Sequence, residues 1–459
     1  MKNLLIALAL ITPLASVAEI LSGTHLNAIP SSLKTTTCFN KSLIKESLTC
    51  PKGEEIKALD NRFQTAGIFL SFIQGENEQY LTEMLKTLNG ISYRGIVNIL
   101  FQKGSEKKYI DFIIKKKGKL NINTHSYEDT PKVSVFKWLQ DGLQFAYKDN
   151  KPVVIALNSV HEFSRAYDIA AEDEELFKFI LNDVHSRFSG QIASSCGLEL
   201  IYKEDTLQAE SRDWSSGGNF TPLPGNHWTT AANDYDFDEY PGRQETLYPD
   251  VAMGDFPYSA IFFEPAQIAF VDTVGGARNS IDIPTAYFGI GHIDESISII
   301  PTVATNNDEC DFGILYADPI AAAKITGESS RYSENDDDYY LESFIERSEF
   351  LTSSVIDLKD TLESRLGCKI KAIAAPVATN IELTDYLDGN QLNGLVIQDG
   401  IKTSFLTSKV KNKKLDESFD KSLKSLNRDL GIHTIDASYY NSGTGGVHCA
   451  TASIRVCKN

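Results

Sequence analysis

The sequence lacks the features that define several classes of protein. No apolar run is long enough to span a bilayer, because a transmembrane helix needs about 20 apolar residues. Basic residues are not in excess, since 44 Lys and Arg stand against 62 Asp and Glu, a formal net charge of −18. Nucleic-acid binding is therefore not expected, because phosphate contacts need a basic surface. The CxxC and His-rich spacings of structural zinc sites are also missing.

The first 18 residues have the pattern of a secretory signal peptide. Lys2 supplies the positive charge, Leu4 to Ile11 form a short apolar stretch, and Ser16-Val17-Ala18 is a small-residue cleavage site. No cysteine follows that site directly, so a lipoprotein anchor is not expected. The sequence thus predicts a secreted or periplasmic protein, with a signal peptide at 1–18, an N-terminal extension at 19–62 and a main domain at 63–459.

The chain has seven cysteines, and an odd number leaves at least one thiol free. Export permits disulfides. Cys38 and Cys50 lie close together before the main domain and could close a small loop, but the sequence does not determine which cysteines bond. Cys449 is the predicted free thiol, whereas Cys457 is expected to pair with another cysteine.

From residue 63 onward, short apolar strands alternate with helices. The first unit is predicted as a strand at Gly67 to Ile73, a helix at Glu76 to Leu88 and a strand at Ile96 to Phe101. A later helix is expected at Glu174 to Arg187, and the last helix is expected to end at Gly431. Roughly five strand–helix–strand units fit into the main domain without visible sequence repeats, which indicates an α/β fold.

Two acidic tracts interrupt this pattern, at 234–239 and 334–338. In the first tract, Asp234, Asp236 and Asp238 alternate as in oxygen-ligand loops for calcium. The glycine and the distal glutamate of a complete EF-hand loop are missing. A calcium site and a solvated acidic loop both fit this tract.

The segment Gly445 to Thr451 has the residue types of a nucleophile loop. Its glycines allow close approach to a ligand, and Cys449 needs a base or a cation nearby to become a thiolate. His292 is the expected acid and base, because His448 would point away from Cys449 on an extended segment. Asp294 follows His292 by two positions, which on a strand places both side chains on one face.

A second carboxylate, Asp141, favours a guanidinium substrate over a peptide bond. A Cys–His protease needs one carboxylate to orient its histidine, whereas a guanidinium presents N–H donors that pair with carboxylates along two edges. Asp141 and Asp294 could hold such a cation, and Trp138 could pack against it. Cys449 would then attack the central carbon while His292 transfers protons.

Several segments together resemble the peptidylarginine deiminase family of guanidine-modifying, pentein-fold enzymes. Trp138-Leu139-Gln140-Asp141 resembles the family's Trp-x-Gln-Asp block, and Gly291-His292-Ile293-Asp294-Glu295 resembles its Gly-His-Val-Asp-Glu block. Val447-His448-Cys449-Ala450-Thr451 resembles its terminal His-Cys-Gly-Thr block, and Gly217-Gly218-Asn219 is similar to a Gly-Asn turn of penteins. The resemblance implies a five-bladed α/β propeller with its site on the central axis.

The resemblance also implies an activity, the hydrolytic deimination of peptidyl-arginine to peptidyl-citrulline and ammonia. Cys449 would be the nucleophile, His292 the acid and base, Asp141 and Asp294 the guanidinium ligands, and Trp138 a wall of the substrate channel. Arginine-containing peptides or proteins would be the partners. The chemistry itself would need no cofactor.

The chain departs from that family in ways that leave alternatives open. Gln144 stands where the vertebrate members carry an acidic calcium ligand, so calcium is possible and not required. The stretch from Asp141 to Gly218 is longer and looks more like agmatine or free-arginine deiminases. Arg212 is the candidate for gripping the substrate backbone. An amidinotransferase, a Cys–His protease and a non-catalytic binding module are the further alternatives.

Overall fold

The computed structural model describes residues 33, 37–52, 55–127, 138–155, 189–201, 220–232, 280–284, 292–327, 338–377, 389–441 and 445–459. Several sequence predictions lie outside these residues. They are the signal peptide at 1–18, the helix at 174–187, Arg212, the Gly-Asn turn at 217–219 and the acidic tracts at 234–239 and 334–337.

The described residues form short strands that alternate with helices. The strands are β1 (Gln64–Phe72), β2 (Ile96–Gln102), β3 (Asn121–Tyr127), β4 (Gln144–Lys148), β5 (Lys151–Ile155), β6 (Glu199–Ile201), β7 (Pro222–Leu223), β8 (His227–Ala232), β9 (Ser280–Pro284), β10 (Ile297–Pro301), β11 (Glu309–Ala317), β12 (Lys369–Ala375), β13 (Leu395–Asp399), β14 (Lys402–Ser408), β15 (Gly431–Ile435) and β16 (Ala452–Val456). The α-helices are α1 (Glu78–Gly90), α2 (Glu106–Lys116), α3 (Leu139–Gly142), α4 (Pro319–Thr326), α5 (Asp338–Leu366), α6 (Lys413–Leu426) and α7 (Ser438–Asn441). Residues 189–196 are also helical, and 3₁₀ helices lie at Lys41–Glu46 and Ile293–Glu295.

Within these residues the strands form five sheets that share one plan. A first strand pairs antiparallel with a second, and the second pairs parallel with a third. Four sheets use consecutive strands, namely β4-β5-β6, β7-β8-β9, β10-β11-β12 and β13-β14-β15. The other has the order β16-β1-β2-β3, so its first strand comes from the far end of the chain. The mixed α/β class is as expected, while closure of the sheets into a propeller stays a prediction.

Helix α6 shows how the sequence pattern becomes packing. The side chain of Asn412 caps the helix by accepting hydrogen bonds from the backbone N of Lys414 and Leu415. Its buried residues recur at spacings of three or four, as one face of an α-helix requires: Leu415, Phe419, Leu423 and Leu426. The helix ends at Leu426, so the prediction that Gly431 ends it is wrong. Gly431 begins β15, because a turn at 427–430 already separates the two elements.

Cys38 and Cys50 do not close a loop with each other. Cys38 is bonded to Cys196, Cys50 to Cys457, and Cys310 to Cys368. The 3₁₀ helix Lys41–Glu46 separates the first two cysteines, and the backbone N of Cys50 bonds to Lys458 O beside its true partner. The described part of the N-terminal extension is therefore covalently tied to the main domain. Cys449 is the free cysteine, as predicted.

Apolar side chains of the sheets and helices form buried clusters. One cluster joins β10, β11 and β12 with α5 and α6, and another joins β1 and β2 with α1 and α2. Across the residues that the structure describes, no helix has the length and apolar character to cross a membrane. Helices thus pack against these sheets through buried apolar side chains.

Candidate active site

The predicted site residues lie on loops that directly precede the first strand of different sheets. Trp138 and α3 precede β4, His292 and its 3₁₀ helix precede β10, and residues 445–451 precede β16. Segments far apart in sequence meet here, since Gln140 N donates to Cys449 O and Sγ of Cys449 lies 3.6 Å from Oδ2 of Asp294. The shared sheet plan is therefore what assembles the site.

Cys449, His292 and Asp294 form the centre of this site. A ring nitrogen of His292, a carboxylate oxygen of Asp294 and Sγ of Cys449 all lie within 4.8 Å of one another. Sγ is 3.6 Å from Oδ2 of Asp294. His292 and Cys449 are 1% exposed and Asp294 is 5% exposed. Electrostatic interactions among these side chains are therefore weakly screened by water. His292 and Asp294 do not share a strand as expected, since residues 293–295 form a 3₁₀ helix.

Asn393 belongs to the site and was missed by the sequence analysis. Its Oδ1 accepts a hydrogen bond from the backbone N of Cys449 at 3.0 Å, and its Nδ2 lies 2.9 Å from Sγ. It is fully buried in the polar segment 390–393, which precedes β13. An Asn and Gln cluster directly before an apolar strand is the signal that could have revealed it, because buried amides need specific partners.

His448 also reaches the site, contrary to the expectation that it would point away. Its Nδ1 lies 2.7 Å from Oδ2 of Asp294, the oxygen that faces the sulfur. Successive side chains point in opposite directions only on an extended segment, and residues 447–450 form a turn. The turn is closed by the bond from Ala450 N to Gly446 O. Two histidines therefore flank the carboxylate of Asp294.

Trp138 packs against the loop of the nucleophile. A Cβ on Gly445 would overlap the indole ring, so the ring and the backbone are in close contact. The ring also meets Tyr440 edge-on, with centroids 5.5 Å apart. Burial raises the pKa of Tyr440 to about 12, and its hydroxyl lies within hydrogen-bonding distance of Ser71 and Asn77. The indole ring of Trp138 is thus held between the nucleophile loop and the buried ring of Tyr440.

Asp141 and Arg212 remain predictions. The backbone of Asp141 lies in α3 beside the site, while its side chain lies outside the described part of the structure. Its neighbour Gln140 anchors α3 to the nucleophile loop through a bond from its backbone N to Cys449 O at 3.1 Å. Arg212 lies outside the described residues altogether.

A polar cavity of about 50 Å³ lies beside Asp294 and His448. Strands β4, β7, β10 and β16 contribute to its wall, together with Leu392 and Gly394 from the segment before β13. At its wall, Arg455 bonds to Phe63 O, Thr65 Oγ1, Asn61 Oδ1 and Val396 O. Burial lowers the pKa of Arg455 to about 10, which leaves it charged at neutral pH. A cavity of this size has room for a few water molecules.

Two clusters of the described residues hold metal-binding atom types. One is the group of His292, Asp294 and Cys449, and the other is the group of Cys38, His125 and Cys196. In the second group the cysteines are consumed by their disulfide. Neither has the several oxygen donors that calcium prefers. The acidic tract at 234–239, for which a calcium site and a solvated loop both stay open, lies outside the described part of the chain.

Solved structures of known proteins resemble this chain in fold. No protein-family model and no curated protein matches the chain. The agmatine deiminase of Enterococcus faecalis aligns with a TM-score of 0.51 at 11% identity, over 89% of this chain and 98% of that one. The C. jejuni agmatine deiminase aligns with a TM-score of 0.44 at 13% identity over 87% and 95% of the two chains. The N-terminal domain of an arginine dihydrolase from cyanobacteria aligns with a TM-score of 0.35 at 10% identity over 85% and 98%. The chain therefore has a mixed α/β fold that matches a pentein-fold deiminase over most of its length.

Proposed function

We propose that this protein hydrolyses the guanidinium group of a small cationic molecule, with agmatine as the leading substrate. Ammonia and a ureido compound would be the products. The observation that carries the proposal is the buried group of Cys449, His292 and Asp294, whose reactive atoms lie within 4.8 Å. A nucleophile, a proton carrier and a carboxylate are the parts that a thiol-dependent hydrolysis of an amidine needs.

Asp294 has the properties of a guanidinium ligand. Its Oδ2 already bonds to His448, whereas its Oδ1 is buried and has no hydrogen bond from the described residues. A buried carboxylate oxygen is costly unless a donor reaches it. A guanidinium supplies such a donor in plane, and the second edge of the cation would fall to Asp141, as the sequence predicts.

The reaction would proceed in two halves. The Cys449 thiolate attacks the guanidinium carbon, and the tetrahedral adduct expels ammonia after a proton transfer from His292. This leaves an S-linked thiouronium on Cys449. Water, deprotonated by His292, then attacks the same carbon, and the C–S bond breaks to release the ureido product and regenerate the thiolate. The water would enter from the cavity that Asp294 and His448 line, which has room for a few water molecules.

The substrate class differs from the peptidyl-arginine implied by the family resemblance. The E. faecalis protein that shares this fold is an agmatine deiminase, and agmatine is a small molecule. Agmatine is a dication. It suits a chain of net charge −18 better than free arginine, whose carboxylate offsets one of its two positive charges. Arg455 is occupied by four oxygen acceptors and would not serve a substrate carboxylate. Closure of the five sheets into a five-bladed propeller and export through residues 1–18 are further parts of the proposal.

The test is incubation with agmatine, free arginine and an arginine peptide, each followed by mass spectrometry. We expect a gain of about one dalton on agmatine, with ammonia released in equal amount and no conversion by Cys449→Ala. Conversion of the peptide alone would restore the peptidyl-arginine assignment. Cleavage of the peptide would support a protease, and inertness toward all three compounds would reject the proposed activity.

A further inference from the structure

Asn393 is an amide held against the nucleophile by three contacts. Its Oδ1 accepts from Cys449 N at 3.0 Å, its Nδ2 lies 2.9 Å from Sγ, and its backbone O accepts from His448 N at 3.1 Å. We infer that Asn393 stabilises the Cys449 thiolate by donating an N–H bond to the sulfur. Its effect on turnover rests on the proposed function, whereas its effect on the reactivity of the free thiol does not.

The direction of the bond to sulfur follows from the other contacts of the amide. Side-chain oxygen and nitrogen of Asn are normally interchangeable in assignment, and only partners distinguish them. Here the backbone N–H of Cys449 is a donor, so the atom that it meets must be Oδ1. The atom beside Sγ is then Nδ2, which has only hydrogens to offer. A donor facing the sulfur favours its charged form.

The position of Asn393 is fixed independently of the sulfur. Oδ1 of Asn390 accepts from the backbone N of Leu392 at 2.9 Å and of Asn393 at 3.2 Å. Nδ2 of Asn390 donates to Glu295 O, which joins this segment to the loop of Asp294. A Cβ on Gly446 would lie 2.9 Å from both O and Oδ1 of Asn393, so the two segments are in contact. The amide is therefore preorganised and would not need to reorient when the thiolate forms.

The sulfur lies between this donor and an acidic acceptor. Oδ2 of Asp294 is 3.6 Å from Sγ and opposes a negative charge there. A guanidinium bound to Asp294 would neutralise that carboxylate, after which the Asn393 bond acts without opposition. The thiolate would thus be favoured when substrate is bound, and Asn393 would set how reactive the thiol is without substrate.

The experiment measures alkylation of Cys449 by iodoacetamide as a function of pH, in the full-length protein without substrate. Asn393→Asp keeps an acceptor for Cys449 N and replaces the donor by an acceptor of the same shape. Asn393→Ala removes both the acceptor for Cys449 N and the donor that faces Sγ. Asn427→Asp is the matched control, because Asn427 donates to Pro301 O and accepts from Asp429 N. The other ionisable groups that face or adjoin the sulfur stay unchanged in all variants, namely Asp294, His292, His448 and Tyr80.

We expect the midpoint of the rate profile to move up by about one pH unit in Asn393→Asp, by less in Asn393→Ala and not at all in Asn427→Asp. An unchanged midpoint in Asn393→Ala would overturn the inference, because a shift in Asn393→Asp alone follows from the added negative charge. If Asn393→Ala does not fold, as judged by thermal unfolding, Asn393→Leu takes its place, because Leu is close to Asn in shape and removes the donor without adding a charge. A shifted midpoint in a protein that converts no guanidino compound would support the role of Asn393 and reject the proposed activity separately.

Discussion

Nδ1 of His448 lies 2.7 Å from Oδ2 of Asp294, and that same oxygen lies 3.6 Å from Sγ of Cys449. One carboxylate oxygen is thereby shared by a histidine and the nucleophile. The other oxygen, Oδ1, is left without a hydrogen bond from the described residues. His448 thus orients the carboxylate so that its open side is available to a substrate.

His448→Leu should weaken substrate binding by removing this donor. A hydrogen bond to a charged group contributes about 1.5–3 kcal/mol, so KM for agmatine should rise about tenfold to a hundredfold with a smaller change in kcat. His448→Asn retains a side-chain donor and should lose less. Steady-state kinetics of both variants test this, and equal KM values in wild type and His448→Leu would contradict the orienting role.

Thiol titration should reveal one cysteine in the unfolded, unreduced protein and seven after reduction, since three disulfides leave only Cys449 free. The native protein should react slowly, because Cys449 is 1% exposed. Two reactive thiols or more before reduction would contradict the bonding pattern.

Removal of the Cys50–Cys457 bond by a double Ser substitution should lower the free energy of unfolding by about 2–5 kcal/mol. The bond joins residues separated by 407 positions, so it constrains almost the whole unfolded chain. Chemical unfolding of the variant and of the reduced wild type provides the comparison. A stability equal to that of the oxidised wild type would show that the bond does not form.

Gly445→Ala should displace the indole ring of Trp138, because the new Cβ would overlap it. Overpacking of this kind costs about 1–3 kcal/mol, and the change should appear in Trp fluorescence and in kcat/KM. Trp138→Leu in the Gly445→Ala background should recover part of the stability, since the smaller side chain makes room. If the double variant is no more stable than Gly445→Ala, the steric explanation fails.

His125 should make the protein sensitive to acid. Burial lowers its pKa to about 4, so the folded protein holds it neutral while the unfolded chain binds a proton below about pH 6.5. Stability therefore falls as the pH decreases from 6.5 to 4, by up to about 3 kcal/mol from this residue. His125→Gln should lose that pH dependence when unfolding free energies are compared at pH 7 and pH 4.5.

The control for this comparison is His433→Gln. Burial also lowers the pKa of His433, but this side chain is less deeply buried, so its contribution should be smaller. Identical pH dependence in wild type and His125→Gln would show that His125 is not kept neutral by the fold.

Much of the architecture could be predicted because its causes are local. Apolar residues at helical spacing placed α1 and α6, and the glycine after Leu366 ends α5 in the left-handed conformation that favours glycine. The strands β4 and β16 were missed, although they carry the cavity wall. Short strands show little periodicity of their own, and their sheet partners are distant in the chain.

Some residues of the candidate site could be predicted from sequence, and others could not. The Gly-rich segment before Cys449 and the choice of His292 and Asp294 came from residue types, and the structure brings these three side chains together. Asn393 was not predicted because a single amide forms no characteristic motif. Its role depends on two contacts with Cys449, which lies 56 positions away in the chain. His448 was misjudged because a local turn replaced the extended backbone assumed for it.

By itself, the sequence determined the α/β class, the free cysteine and the residue types of a thiol site, since these follow from composition, periodicity and short motifs. Only the tertiary structure decided which cysteines bond, that β16 pairs with β1, and that Asn393 and His448 flank the nucleophile and its carboxylate. The physical reason is that such contacts join residues with no sequence proximity. They form because burial of the sheets and helices brings the loops before the first strands to one place.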